Sequence, residues 1–180
     1  MNSVTVRTMR AEELPLALDW AAAEGWNPGL ADAACFLAAD PDGFLVAELA
    51  GEPVGCVSAV RYGDGFGFLG FYIVRPGFRG QGHGLALWRA AMARLHPGVV
   101  GLDGVVAQQA NYRRSGFDLL HRNIRYGAAA PHAPRLSDAP AVMPAGAVPF
   151  DAVAAFDRRF FPAPRNAFLR AWIAAAGHVG

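Results

Sequence analysis

The chain has 180 residues, 53% of them apolar and 17% charged, with a formal net charge of +1. That composition specifies a packed globular protein with room for one sizeable core and the start of a second. So small a charge gives no electrostatic reason to expect nucleic acid or a membrane surface as partner, and no apolar run approaches the ~18 residues of a membrane span.

The opening MNSVTVRTMR lacks the apolar stretch of a secretory signal, and Val4 to Thr8 alternates as a strand does. Ala11 to Glu24 reads as a helix whose apolar face is Leu14, Leu16, Ala17, Trp20 and Ala21. EGWNPGL interrupts it, because Asn27-Pro28-Gly29 is turn chemistry, and a short helix follows from about Leu30 to Ala39. Phe44 to Leu49 and Pro53 to Tyr62 are predicted strands joined by the tight turn AGEP. GDG at 63–65 turns the chain into Phe66 to Val74, which is apolar on both faces as a central strand is.

Leu85, Trp88, Met92 and Leu95 recur at three and four, so Leu85 to Leu95 is a predicted helix, stopped by HPG at 96–98. Val99 to Val106 is a predicted strand, Ala107 to Arg114 a short helix ended by Ser115-Gly116, and Phe117 to Tyr126 a last strand. The texture then changes. Residues 128–147 are rich in proline and alanine and read as a linker after a first domain at 1–127. Residues 148–180 form a predicted helical hairpin. Its order of elements resembles WNPGLADAACFLAA, which admits two readings: the start of a truncated internal repeat, or a hairpin packed on the main domain.

Cys35 and Cys56 stand apart in apolar settings, away from any CxxC or paired histidine, which predicts reduced thiols in a cytoplasmic protein and no metal. All 16 basic residues are arginine, which beside so many alanines and glycines reads as genomic composition.

The chemistry concentrates in IVRPGFRGQGHGLALW, from Ile73 to Trp88. Glycines between a strand and a helix let consecutive N–H groups converge on an anion, and the helix dipole adds to them. Arg75 and Arg79 are candidates to neutralise further phosphate charge, with Arg113 or Arg114. A Walker loop is excluded, since the chain has no lysine. The dinucleotide fingerprint GxGxxG fails because its third position falls on Leu85, and the tight hairpins predict an antiparallel sheet. The pattern that fits is [R/Q]xxGx[G/A], as Arg79-Gly80-Gln81-Gly82-His83-Gly84.

This hexapeptide after VRP resembles the pyrophosphate loop of the GNAT N-acyltransferases, and NYRRSGF, Asn111 to Phe117, resembles their closing LYxxxGF segment. The order of elements agrees over residues 4 to 126. WAAAEGWNPG and GLDGVVAQQANYRRSGF resemble a subgroup with a second acetyltransferase-like domain. The resemblance implies an α+β fold: a central, mostly antiparallel mixed sheet flanked by helices, followed here by a partial helical segment that starts the second domain. It implies an acetyl-CoA-dependent N-acetyltransferase, with no metal, acting on a small-molecule primary amine. A homodimer is compatible with such a fold.

Carried onto this chain, the main chain of Tyr72, Ile73 and Val74 would bind the pantetheine arm, with the Ile73 region facing the acyl oxygen. Arg79, Gly80, Gln81, Gly82, His83 and Gly84 would hold the pyrophosphate, His83 as a spacer. Asn111 is a further cofactor candidate, and Tyr112 matches the residue that assists thiolate departure. Glu24, Trp26 and Asn27 occupy the acceptor side.

The acceptor raises a quantitative difficulty. An alkyl amine with a pKa of ~10.4 is about 0.04% neutral at pH 7, a deficit of about 4.6 kcal/mol. The fourth strand, FGFLGFYIV, carries no acid to serve as base. Asp103 and Glu24 are the substitutes. Without a base, the alternative is a non-catalytic module that binds acyl-CoA. A dinucleotide-dependent oxidoreductase fails on both fingerprint and topology.

Overall fold

A computed structural model of the chain describes residues 4–29, 31–124, 126 and 143–176. The predicted linker at 128–147 lies for the most part outside the described residues. The chain divides into two compact units, Met1–Leu102 with Pro144–Gly180, and Asp103–Met143.

The first unit is built on a five-stranded sheet: β1 (Thr5–Thr8), β2 (Phe44–Leu49), β3 (Glu52–Tyr62), β4 (Phe66–Val74) and β5 (Val99–Leu102), in that spatial order. The first three pairings are antiparallel and β4 pairs with β5 in parallel, as expected for a mostly antiparallel mixed sheet. Strand alternation sorts the apolar side chains onto two faces. Phe44, Val46, Cys56 and Ile73 face α1 (Leu14–Ala23) and α2 (Asp32–Ala39), meeting Leu14, Ala17, Ala21 and Ala33. Leu45, Ala47, Val54, Val57 and Leu69 face α3 (His83–Leu95), whose Leu87, Ala91 and Leu95 line one side at four-residue spacing. Each large aliphatic side chain so buried contributes about 1.5–3 kcal/mol.

The two C-terminal helices, α5 (Phe150–Asp157) and α6 (Asn166–Ala174), pack on this unit. Phe168 and Leu169 close over Cys35, and the Phe168 ring lies 5.1 Å from that of Phe36 on α2. Phe161 sits edge-on to Tyr62 and Phe66, at 4.9 and 5.3 Å.

One feature of β4 departs from regular pleating. Ile73 pairs with Cys56 and Gly70 with Ser58, so Phe71 and Tyr72 both stand opposite Val57. This is a β-bulge. Phe71 carries the strain, at φ 46°, a left-handed conformation that costs a side-chain-bearing residue on the order of 1–2 kcal/mol. Tertiary contacts hold it there. Its ring packs on Phe44 at 5.7 Å, and its carbonyl accepts a hydrogen bond from the buried Cys56 thiol at 3.3 Å. Burial alone pushes that thiol up to about 12, so it remains a donor.

At the other edge, Arg7 on β1 bonds Glu13 and Glu48, and Arg10 adds a second cation to Glu13. The hydrogen bonds from Arg7 lower the Glu13 carboxyl to about 2. A carboxyl with a depressed folded pKa stabilises the fold above its ordinary value and loses that effect as pH falls through the folded one. Unfolding free energy is therefore expected to fall from about pH 4.5 to pH 2, with Glu13→Gln removing on the order of 1 kcal/mol of that change. Denaturant titration of both proteins across that range checks it.

The second unit holds a 3-10 turn (Val106–Gln108) and α4 (Gln109–Arg114). Two bonds close α4, Gly116 N–H to Arg113 O and Phe117 N–H to Tyr112 O, with Gly116 at φ 88°. That is a Schellman end, and it explains SGF physically. The predicted strand Phe117 to Tyr126 is not formed among its described residues. A strand exists only by pairing; here Leu119 and Leu120 are adjacent and both exposed, which breaks the alternation a half-buried strand requires.

Candidate functional site

β4 pairs with β5 only from Phe66 to Leu69, opposite Val99 to Leu102. Beyond Leu69 the β4 edge continues to Val74 after β5 has ended. Arg75 N–H bonds Val54 O on β3 at 3.0 Å, so by alternation the neighbouring Val74 turns its main chain to the other side, toward the open edge. Arg79 Nε, which donates to Val74 O at 2.7 Å, reaches it there. The Ile73 carbonyl lies 2.7 Å from where a Cβ on Gly55 would sit. Ile73 therefore faces β3, which corrects the expectation that its main chain serves the open edge.

After Val74 comes a 3-10 turn (Pro76–Phe78), then the glycine loop, then α3. Gly80 and Gly82 adopt φ 74° and 89°, and Gly82 is the N-cap of α3. Ala86 N–H to Gly82 O at 3.2 Å starts the helical ladder. The N–H groups of His83, Gly84 and Leu85 precede it, and helix geometry gives them no acceptor within α3. A Cβ added at Gly77, Gly80 or Gly82 would meet nothing within 4 Å, so the space over the loop is clear. Gly84 differs: its added Cβ would lie 2.9 Å from Tyr72 Oη and 3.3 Å from Val74 Cγ2. The third glycine therefore serves close packing of α3 on β4, where the Tyr72 ring also meets that of Trp88 at 5.6 Å in a tilted contact.

The loop is braced from within. Gln81 Nε2 donates to Gly77 O at 3.1 Å, and Phe78 packs near the His83 ring at 6.4 Å. His83 is buried, and its Nε2 has no hydrogen-bond partner.

The arginines are arranged otherwise than expected. Arg75 pairs with Glu52 at 2.5 Å, donates from Nη1 to Pro53 O at 3.0 Å, and lies over the Phe78 ring. Arg79 forms an ion pair with Glu24. Both guanidinium groups thus have carboxylate partners, which leaves main-chain N–H groups and the helix dipole as this loop's candidates to hold an anion. Glu24, read as an acceptor-side residue, is joined to the cofactor-loop candidate instead. Trp26 and Asn27 follow it in an exposed loop, Trp26 with 38% of its surface accessible.

In the second unit, Asn111 and Tyr112 lie together on α4. The Asn111 side chain bonds Gln108 and Arg114. Tyr112 is half-buried; burial raises its pKa, with a main-chain hydrogen bond from Val105 acting the other way. Asp103 Oδ1 accepts from Asn123 Nδ2 at 2.9 Å, and both residues are exposed. Among the described residues no cluster of histidine, cysteine or carboxylate side chains is arranged to hold a metal, and no helix is long and apolar enough to cross a membrane. The strained Phe71, its Cys56 brace and the partner of Glu24 went unpredicted, since none leaves a local sequence signal.

A mixed sheet whose fourth strand outruns the fifth and leads through a glycine loop into a helix N-terminus defines an acyltransferase-type fold. The chain belongs to the Acetyltransferase (GNAT) family, whose model matches residues 7–117; this family works with acyl-CoA as co-substrate. It is 35% identical over 176 residues to Holothin acyltransferase of Pseudoalteromonas sp. (strain SANK 73390), a match over 98% of this chain and 59% of that protein. A provisionally assigned acetyltransferase from Pyrococcus horikoshii superposes with a TM-score of 0.70 at 18% identity, over 96% of this chain and 62% of that one. Ard1 from Thermoplasma volcanium gives 0.57 at 21% identity, over 66% of this chain and 84% of its own. These two likenesses establish the fold. The chain spans about three fifths of the first two proteins.

Proposed function

We propose that the protein is an N-acetyltransferase that moves an acetyl group from acetyl-CoA to a primary amine of a small molecule by direct attack. One observation carries the reading: two left-handed glycines, Gly80 and Gly82, present the N-terminus of the 13-residue helix α3 to clear space beside the open edge of β4. The residues fit a diphosphate with a thioester-bearing arm. N–H groups from Gln81 to Leu85 would hold the diphosphate, and the Val74 main chain would receive the arm. When bound, the thioester supplies the activated acyl group. Tyr112 would hold its phenolic proton against the departing sulfur. Asp103 remains the candidate base, with Trp26 and Asn27 on the acceptor side.

The relative acts on holothin by its name, which makes holothin the first acceptor to assay. Thiol release from acetyl-CoA, measured over a panel of holothin and simple primary amines, tests the reading. Amine-dependent release supports it. Binding of acetyl-CoA with no release for any amine would favour the non-catalytic module.

A further inference from the structure

Glu24 stands where a solvated helix end is the ordinary expectation, yet it is held firmly. It is the C-cap of α1, its N–H bonded to Trp20 O at 3.1 Å. Gly25 at φ 76° donates to Ala22 O at 2.9 Å, and Trp26 to Ala21 O at 3.0 Å, a Schellman end that fixes where the carboxylate emerges. That carboxylate meets the Arg79 guanidinium 55 residues along the chain. The same guanidinium grips Val74 O through Nε. Arg79 is thus clamped between the end of α1 and the end of β4, one residue before Gly80 begins the left-handed turn.

We propose that Glu24 is a positioning residue for acyl-CoA: by clamping Arg79 against Val74 O it sets the course of the loop from Gly80 to Gly84. The inference rests on reading that loop as the diphosphate site. Two effects of Glu24 oppose each other there. Its negative charge repels a diphosphate, which alone would make its removal tighten binding. Its grip orders the donors, which makes its removal loosen binding. The repulsion is screened, because the charge already faces Arg79 and its side chain is 29% exposed. Misplaced donors cost more, so ordering prevails.

The test is calorimetric titration of acetyl-CoA into the full chain and into Glu24→Gln, Glu24→Ala, Arg79→Ala and the Glu24→Ala/Arg79→Ala double variant. Thermal unfolding establishes that each is folded. Glu24→Ala is expected to weaken binding about tenfold, Glu24→Gln less, and the KM for acetyl-CoA to rise while turnover at saturation holds. In the Arg79→Ala background the Glu24 change should have no further effect, since the two act as one unit. Tighter binding by Glu24→Ala would overturn the proposal, as would an equal loss in the Arg79→Ala background, or a loss confined to turnover. Failure of the unaltered chain to bind acetyl-CoA at all would remove the site reading itself, and the proposal with it.

Discussion

Gly82→Val is expected to weaken acetyl-CoA binding by about a hundredfold, roughly 2.7 kcal/mol, while the chain stays folded. Gly82 sits at φ 89° as the N-cap of α3. A β-branched residue either holds that conformation at a cost of about 1–2 kcal/mol or swings the loop to negative φ, which turns its N–H groups away from a shared anion. An added Cβ meets nothing within 4 Å in the free chain, so clash adds little and the damage falls on the ligand. Gly51→Val supplies the comparison. Gly51, in the β2–β3 turn, has φ 82° and equally open surroundings. It should lower the unfolding midpoint by a similar few degrees and leave binding intact. Equal binding losses in both variants would mean that strain, and not anion contact, explains the first.

Tyr112→Phe is expected to lower turnover roughly tenfold, about 1.4 kcal/mol of barrier, with acetyl-CoA affinity nearly unchanged. An ordinary tyrosine near pKa ~10 that protonates a thiolate near ~8.5 works about 2 kcal/mol uphill. Burial raises the pKa of Tyr112 further, so full proton transfer becomes harder and a hydrogen bond to the thiolate becomes the better description. It follows that any loss of turnover from phenol ionisation should set in at higher pH than for an ordinary tyrosine, since burial favours the protonated phenol. Steady-state rates from pH 6 to 10 check this. An unaltered turnover number in Tyr112→Phe would remove Tyr112 from the mechanism.

Much of this architecture was readable residue by residue. AGEP and GDG announced the hairpins because turn chemistry is local; Gly51 and Gly63 do take positive φ. The loop glycines were readable for the same reason, and SGF marked a helix end by a rule that needs only neighbouring residues. What escaped depends on distant partners. Nothing in FGFLGFYIV shows that Phe71 will be forced left-handed, because the bulge arises from the β3 register and the Cys56 thiol. Nothing near Glu24 shows that Arg79 will claim it. Among its described residues Phe117 to Tyr126 forms no strand, since apolar content cannot supply a neighbouring strand.

The central claim is that main-chain amides after Arg79 hold the diphosphate of a coenzyme A thioester. A crystal structure of the chain with acetyl-CoA tests it most directly. The diphosphate should lie within hydrogen-bond distance of the N–H groups between Gln81 and Leu85, with the arm along Val74. Density for that ligand at any other surface, with the loop empty at millimolar acetyl-CoA, would contradict the account.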